Sequence, residues 1–269
     1  AYWKKQLFKR CKKAFVNLDD AFSKDIIEEC SCPVVTFGLD TKADFCLTKI
    51  KQTKRGRKLG VDFSFEEGGK EKEFFVSLPG EVNAYNAVCA CAVGESFGAT
   101  ESEIEKGLDC VFVKGRGEVL DTGTDFSVII DYAHNGVSLK SIIETARAYN
   151  PERVITLFGS VGGRTQIRRQ ELGLVSGAMS DFTIITEDDP DFEDPETICR
   201  EIASYVEEEG GKYKIIPDRK EAILFALSIA KKGDIIILCG KGHEEFMKIK
   251  GEKLPFSEKQ IVFDALKTE

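Results

Sequence analysis

From Phe126 to the end of the chain, short apolar runs alternate with helical patterns, and this alternation restricts the fold more than any other feature. The strand candidates are 126–131, 153–158, 181–186, 213–216 and 234–239, and the helix candidates are 138–149, 166–178, 195–208, 219–231 and 257–267. Helices alternating with short apolar strands imply a parallel sheet covered on both faces. Leu139, Ile142, Ile143 and Ala146 share one helical face, as do Ile223, Ala226, Leu227 and Ala230, so these helices have a side to lay on such a sheet. Pro195 and Ser257 suit helix starts. The expected class is α/β with a mostly parallel sheet, in which ligands sit at the carboxyl ends of the strands.

Four of those strand ends open into polar loops: DYAHNG after Ile130, GSVGGRTQIRR after Phe158, EDDPDFEDP after Thr186 and GKGHEE after Cys239. On a parallel sheet all four emerge at one edge and converge. The loop after Ile130 is either an ordinary turn or a place where Asp131 and His134 meet a nucleotide and its metal. GSVGGRTQIRR combines glycines with Arg164, Arg168 and Arg169 ahead of a helix; free backbone N–H groups and guanidinium forks suit phosphate. GKGHEE lacks the glycine and Ser/Thr spacing of a phosphate loop. EDDPDFEDP carries six carboxylates in nine residues and reads either as a solvated acidic loop or as a site for a cationic group.

The first hundred residues follow a different pattern. Residues 1–15 read as a basic helix, followed by VNLDD (16–20), a helix from Ser23 to Cys30 and a strand from Val34 to Gly38. Residues 44–50, 59–65 and Phe74 to Leu78 read as strands, with GGKEK (68–72) as a hairpin turn. Helices are expected from Ala84 to Phe97 and from Glu101 to Asp109, and Gly115-Arg116-Gly117 is the candidate boundary, dividing the chain into domains at 1–114 and 115–269. A length of 269 residues suits one large domain or two ordinary ones. The net charge of -8 argues against nucleic acid as a partner, and no apolar run is long enough to span a membrane. The chain opens at Ala1 inside a helical pattern with no signal peptide, which suggests a piece of something longer. Nine Cys without a Cys-x-x-Cys pair, beside two His, suit reduced thiols in the cytoplasm better than a structural metal site.

Several stretches, in this order, resemble the Mur ligase family: VNLDD (16–20), LPGEVNAYNA (78–87), GRGEVLD (115–121), DYAHNG (131–136), GSVGGRTQIRR (159–169), DDPD (188–191) and GKGHE (240–244). They look most like the members that add the third amino acid to the muramyl peptide. The resemblance implies the latter half of a central ATP-binding domain followed by a Rossmann-like C-terminal domain, without the family's upstream Gly-Lys-Thr phosphate loop and UDP-binding domain; on that reading the chain alone is inactive. It implies ATP and Mg2+ as cofactors and, as substrates, a UDP-N-acetylmuramoyl dipeptide and a diamino acid. ATP phosphorylates the dipeptide carboxylate, and the amine of the incoming amino acid attacks the acyl phosphate.

Residue by residue, the resemblance places Asn83 at adenine, Arg116 and Asp131 at the phosphates and nucleotide, and His134 on the nucleotide side of the same loop. Lys4 matches the lysine that is carbamylated to bind magnesium, and its neighbour Lys5 is read as a solvated helix face. Arg164, Gly240 and Glu244 match acceptor-side positions. Members that add meso-diaminopimelate carry Asp-Asn-Pro-Arg where this chain has DDPD, so Asp189 replaces the Asn and Asp191 replaces the Arg that grips the distal carboxylate. An acidic loop repels a carboxylate and attracts an ammonium. The expected acceptor is therefore L-lysine, with ornithine and diaminopimelate as alternatives. A different class of reading is a non-catalytic half-ligase that binds nucleotide or amino acid. A nicotinamide dehydrogenase is disfavoured because no strand leads into Gly-x-Gly-x-x-Gly.

Overall fold

A computed structural model describes residues 6–163 and 166–267. The chain forms two compact units, one built from residues up to 112 and the other from residues 113–269 together with 56–58.

In the first unit a five-stranded sheet runs in the order β1 (Ala14–Asn17), β2 (Val34–Gly38), β3 (Phe45–Arg55), β4 (Lys58–Glu67) and β5 (Lys70–Val76). Helix α1 (Ser23–Glu29) carries the chain from β1 to its parallel neighbour β2. Strands β4 and β5 are antiparallel, and only Gly68 and Gly69 form the turn; Lys70 to Lys72 already belong to β5. The period of two in β4 sends Val61, Phe63 and Phe65 to one buried face. There Phe45, Phe63, Phe65 and Phe74 pack with ring centroids 5.6 to 6.3 Å apart. Helices α2 (Val82–Ser96) and α3 (Glu101–Cys110) add Ala84, Ala87, Val88, Cys91, Ile104 and Leu108 to the same core. Thr100 and Glu103 form a reciprocal capping box that starts α3. The expected helix over 1–15 is corrected: a helical turn occupies 6–8, and β1 begins at Ala14. The segment AFVN pairs with 34–37, and that ladder overrides the local helical pattern.

The second unit is a six-stranded sheet ordered β10-β9-β8-β11-β7-β6. Strands β7 (Ser127–Asp131), β8 (Val154–Phe158), β9 (Phe182–Ile185), β10 (Tyr213–Ile215) and β11 (Ile235–Cys239) are parallel. Strand β6 (Glu118–Leu120) adds antiparallel to β7. Strands β8 and β11 are buried at every position, as two covered faces require. Helices α4 (Gly136–Arg147), α5 (Ile167–Met179), α6 (Pro195–Glu208), α7 (Arg219–Ile229) and α8 (Glu258–Lys267) connect and cover the sheet. The last strand of this sheet in sequence, β11, lies between β7 and β8. The order therefore reverses at β11, and the loops after β7, β8 and β11 open side by side. A two-stranded antiparallel hairpin, β12 (Phe246–Ile249) and β13 (Glu252–Pro255), follows β11 and was absent from the sequence reading.

Candidate functional site

The strand-end loops enclose a cavity of about 460 Å³ lined by Tyr132, His134, residues 159–163, Arg168, Asp188, Asp189, Asp191, Gly240, Glu244 and Lys248. All four loops singled out by pattern contribute to it. Two glycines let the loops approach. A Cβ on Gly162 would stand 2.0 Å from the Pro190 carbonyl oxygen, and one on Gly240, at φ +107°, 2.3 Å from Asp188 Oδ2.

Lys241 organises the floor. Its side chain is fully buried, and Nζ donates to Asp189 Oδ1 at 2.7 Å and Glu244 Oε2 at 3.0 Å, with Asp188 Oδ1 at 3.7 Å. Burial disfavours its charge, but the three carboxylates outweigh that cost and hold its pKa above the ordinary lysine value. The Asp188 carboxylate is buried, with the Lys241 ammonium 3.7 Å away as its ion-pair partner. Burial pushes its carboxyl up, against the pull of Arg219 and Lys241.

Three carboxylates of the acidic loop, those of Asp189, Asp191 and Glu193, are engaged by cations, while Phe192 and Asp194 are exposed. Asp189 and Asp191 take positive φ angles of 47° and 54°, uncommon for residues with a side chain. Asp189 Oδ1 also accepts from the Lys248 N–H at 2.8 Å. Asp191 Oδ2 accepts from Lys248 Nζ at 2.6 Å, and its Oδ1 from the Gly251 N–H at 2.7 Å. The Lys248 ammonium and the Gly251 N–H hold the Asp191 carboxyl below its ordinary value. Both carboxylates thus clamp the β12–β13 hairpin as a wall of the cavity. Glu193 accepts a two-pronged bond from Arg169, which also donates to Glu201 at 2.6 Å. Arg169 is therefore a buried structural cation, contrary to its reading as a phosphate ligand. Arg168 lines the cavity and has no carboxylate partner among the described residues.

On the β7 side, Asp131 does not line the cavity. Its Oδ2 accepts from the Gly117 N–H and its Oδ1 from the Ala133 N–H, both at 2.7 Å, so it pins the turn before β6 to the loop after β7. Burial raises its pKa more than these two bonds lower it. Arg116 is exposed, with its guanidinium 5.5 Å from the Tyr132 ring centroid. Both histidines meet the same ring, His134 at 4.9 Å and His243 at 5.2 Å between centroids. An exposed guanidinium beside an aromatic cluster suits a nucleotide, whose phosphates seek cations and whose base stacks.

Below the loops, Arg219 is fully buried at the start of α7. It donates to Glu258 Oε1 through Nε (3.0 Å) and Nη2 (2.8 Å), to the Glu187 carbonyl (3.0 Å) and to the Cys239 carbonyl (2.6 Å). One guanidinium thus ties the ends of β9 and β11 to α8.

The region 115–242 matches the model of the Mur ligase glutamate ligase domain, and residues 1–94 match that of the Mur ligase middle domain. The chain belongs to the Mur ligase family. It is 39% identical over 264 residues to a UDP-N-acetylmuramoyl-L-alanyl-D-glutamate–2,6-diaminopimelate ligase of Caldanaerobacter subterraneus, an alignment covering 98% of this chain and 54% of that protein. The like-named ligase of Aquifex aeolicus is 36% identical, with 95% and 51% covered. A solved structure of such a ligase superposes with a TM-score of 0.75 at 25% identity, covering 98% of this chain and 55% of that one. The MurF ligase of Thermotoga maritima in complex with ADP shares the fold, with a TM-score of 0.63 at 16% identity, covering 99% of this chain and 56% of that one. The chain spans about half the length of the curated relatives it matches.

Of the residues assigned through this family, His134, Asp189, Asp191, Gly240 and Glu244 share the cavity. Arg116 lies against Tyr132, which lines the cavity, and Asp131 immediately precedes Tyr132 in the chain. Asn83 belongs to the first unit, near the start of α2, where it donates to the Pro79 carbonyl and accepts from Asn86. Lys4 and Arg164 lie outside the described residues. No group of three or more His, Cys, Asp or Glu among the described residues is placed to hold a metal ion. Sequence reasoning missed Asp188, Lys241, Lys248 and Arg219 as determinants of the site. Two of them had a local signal: Lys241 between two glycines in GKGHE, and Asp188 at the head of DDPD.

Proposed function

We propose that this chain is the acceptor-binding and nucleotide-binding part of an ATP-dependent ligase, with residues 1–114 as partial central domain and 115–269 as ligase domain. The reaction joins a diamino acid to UDP-N-acetylmuramoyl-L-alanyl-D-glutamate through an acyl phosphate, in the cytoplasmic assembly of peptidoglycan precursors. The observation that carries this reading is the single cavity formed by the four strand-end loops, with Glu244 held toward it by the buried Lys241. The relatives' names, and the ADP bound in a protein of like fold, support it.

The cavity takes the acceptor amino acid. Its α-carboxylate or distal carboxylate meets Arg168, and its ammonium groups meet Asp188 and Glu244. The attacking amine must lose a proton as the C–N bond forms and phosphate departs with the C–O electron pair. A buried carboxylate with a raised pKa, such as Asp188, suits that proton. Within the second unit Arg116 and the Tyr132 cluster face the nucleotide; the role of Asn83 at adenine rests on the family resemblance alone. Magnesium, when bound, would neutralise phosphate charge; Lys4, once carbamylated, would supply it an oxygen ligand.

For the acceptor itself, the relatives cited are named for 2,6-diaminopimelate and not for lysine. The physical basis for expecting lysine also weakens, because Asp189 and Asp191 are engaged by Lys241 and Lys248. Arg168, a cation without a carboxylate partner among the described residues, favours an acceptor with two carboxylates, and we assign 2,6-diaminopimelate. ADP release by the natural protein carrying this chain tests the reading, with ATP, magnesium and the dipeptide nucleotide. Turnover with meso-diaminopimelate is expected. Preference for L-lysine contradicts the acceptor assignment, and turnover with neither contradicts the ligase reading.

A further inference from the structure

The first unit holds a cluster of thiols remote in chemistry from the ligase reaction. Cys11 lies three residues before β1, and Cys32 lies two residues before β2. The parallel register that sets Ala14 against Val34 brings both to the same end of the sheet. The Ala14 N–H donates to the Pro33 carbonyl at 3.0 Å, and Ser31 Oγ donates to the Lys9 carbonyl at 3.3 Å. An ion pair of 2.7 Å between Lys9 and Glu29 adds to this stitching. The result is a distance of 3.3 Å between Cys11 Sγ and Cys32 Sγ. A disulfide needs about 2.05 Å, so closure asks for a small side-chain movement and no change of backbone pairing.

Cys30, the residue that ends α1, interacts with both of these sulfurs. All three thiols are partly exposed. The remaining cysteines provide the contrast. Burial pushes Cys91 and Cys199 up to about 12 and makes Cys239 still harder to ionise. Exposed Cys110 has its thiol turned to the Gly107 carbonyl of its own helix. Burial also pushes Cys46 and Cys89 up, and among the described residues the sulfurs in contact are those of Cys11 and Cys32 at the head of β1 and β2.

We propose that Cys11 and Cys32 are a reversible oxidation site that closes to an intramolecular disulfide by exchange with a low-molecular-weight disulfide. The Cys11 thiolate attacks one sulfur of that disulfide and expels the first thiolate. The Cys32 thiolate then attacks the Cys11 sulfur of the mixed disulfide and expels the second. Two protein thiols are oxidised to one disulfide, one small disulfide is reduced to two thiols, and the two protein protons go to the two leaving groups. The shared S–H···S contact with Cys11 raises Cys32 to about 11, so exchange quickens as pH rises. The bond ties the lead-in of β1 to the lead-in of β2 and holds residues 9–13 against local opening.

The test is incubation of the protein in a glutathione redox buffer, followed by alkylation and peptide mapping. The expected product is one Cys11–Cys32 crosslink, reversed by dithiothreitol, formed faster at higher pH and retained in Cys30→Ser. Trypsin is expected to cut after Lys12 and Lys13 at least fivefold more slowly in the oxidised protein. Persistent glutathione adducts on Cys11 or Cys32, a crosslink that includes Cys30, an absence of reaction, or protection of all three thiols by Zn2+ would each overturn the proposal. The mapping on the unaltered protein decides the matter even where a serine variant fails to fold.

Discussion

The two sheets differ in what their strand ends do. In the first unit, β3, β4 and β5 follow one another through tight links, and the interior is a stack of phenylalanine rings. Charge there stays near the surface, as in Lys72, which reaches Glu67 and Glu95 at 2.7 Å. In the second unit, helical crossovers return the chain to one edge after every parallel strand, and the charges move inside. Arg219, Lys241, Asp188 and Glu258 are all buried. A reaction site arises where topology repeats a direction, because only then do several polar loops share an edge. Local hairpins give a stable sheet but scatter their loops.

If interlocked charge holds the second unit, Arg219→Met has the largest effect. It leaves Glu258 a buried, unpaired carboxylate and removes donors from the Glu187 and Cys239 carbonyls. A loss of about 3–5 kcal/mol is expected in the urea unfolding of that unit. The double variant Arg219→Met, Glu258→Leu should recover much of it. If apolar packing holds the first unit, Phe63→Ala should cost about 3–4 kcal/mol there, and calorimetry should leave the second transition in place. A smaller effect follows Gly162→Ala, whose methyl would overlap the Pro190 carbonyl. A destabilisation of about 1–3 kcal/mol should accompany a tenfold or greater loss of acceptor affinity by titration calorimetry.

The smallest effect concerns pH. The Asp191 carboxyl titrates below its unfolded value, so its bonds to Lys248 and Gly251 are fully present above the ordinary carboxylate range. They are lost as pH falls through the depressed folded value. The hydrogen-exchange protection of the Gly251 amide should fall over that acid window and be low and flat in Asp191→Asn.

These residues also explain what was legible in the sequence. Strands β8 and β11 announced themselves because burial on both faces demands an unbroken apolar run. The start of α6 was legible for another reason, since Pro195 at the first helical position has no N–H to lose. The convergence of the four loops followed from the alternation alone. Hidden were features fixed by distant partners. Strand β6 is three residues long and exists through its pairing with β7. The β12–β13 hairpin mixes apolar and charged residues without a regular alternation and is held by Asp191, 57 residues from Lys248 in sequence. Arg219 reads as an ordinary surface residue of a helix start, and only Glu258 on another helix makes its burial tolerable. The acidic loop misled for the same reason, since its counter-charges, Lys241 and Lys248, come from the segment after β11.

The central claim is that the four loops form one amino-acid site. Amide chemical shifts of the protein during titration with meso-diaminopimelate test it most directly. The account predicts saturable shifts, with one common affinity, at Gly159, Gly162, Asp189, Gly240 and Glu244. Unmoved resonances at these residues at millimolar ligand, or shifts confined to another surface, would contradict it.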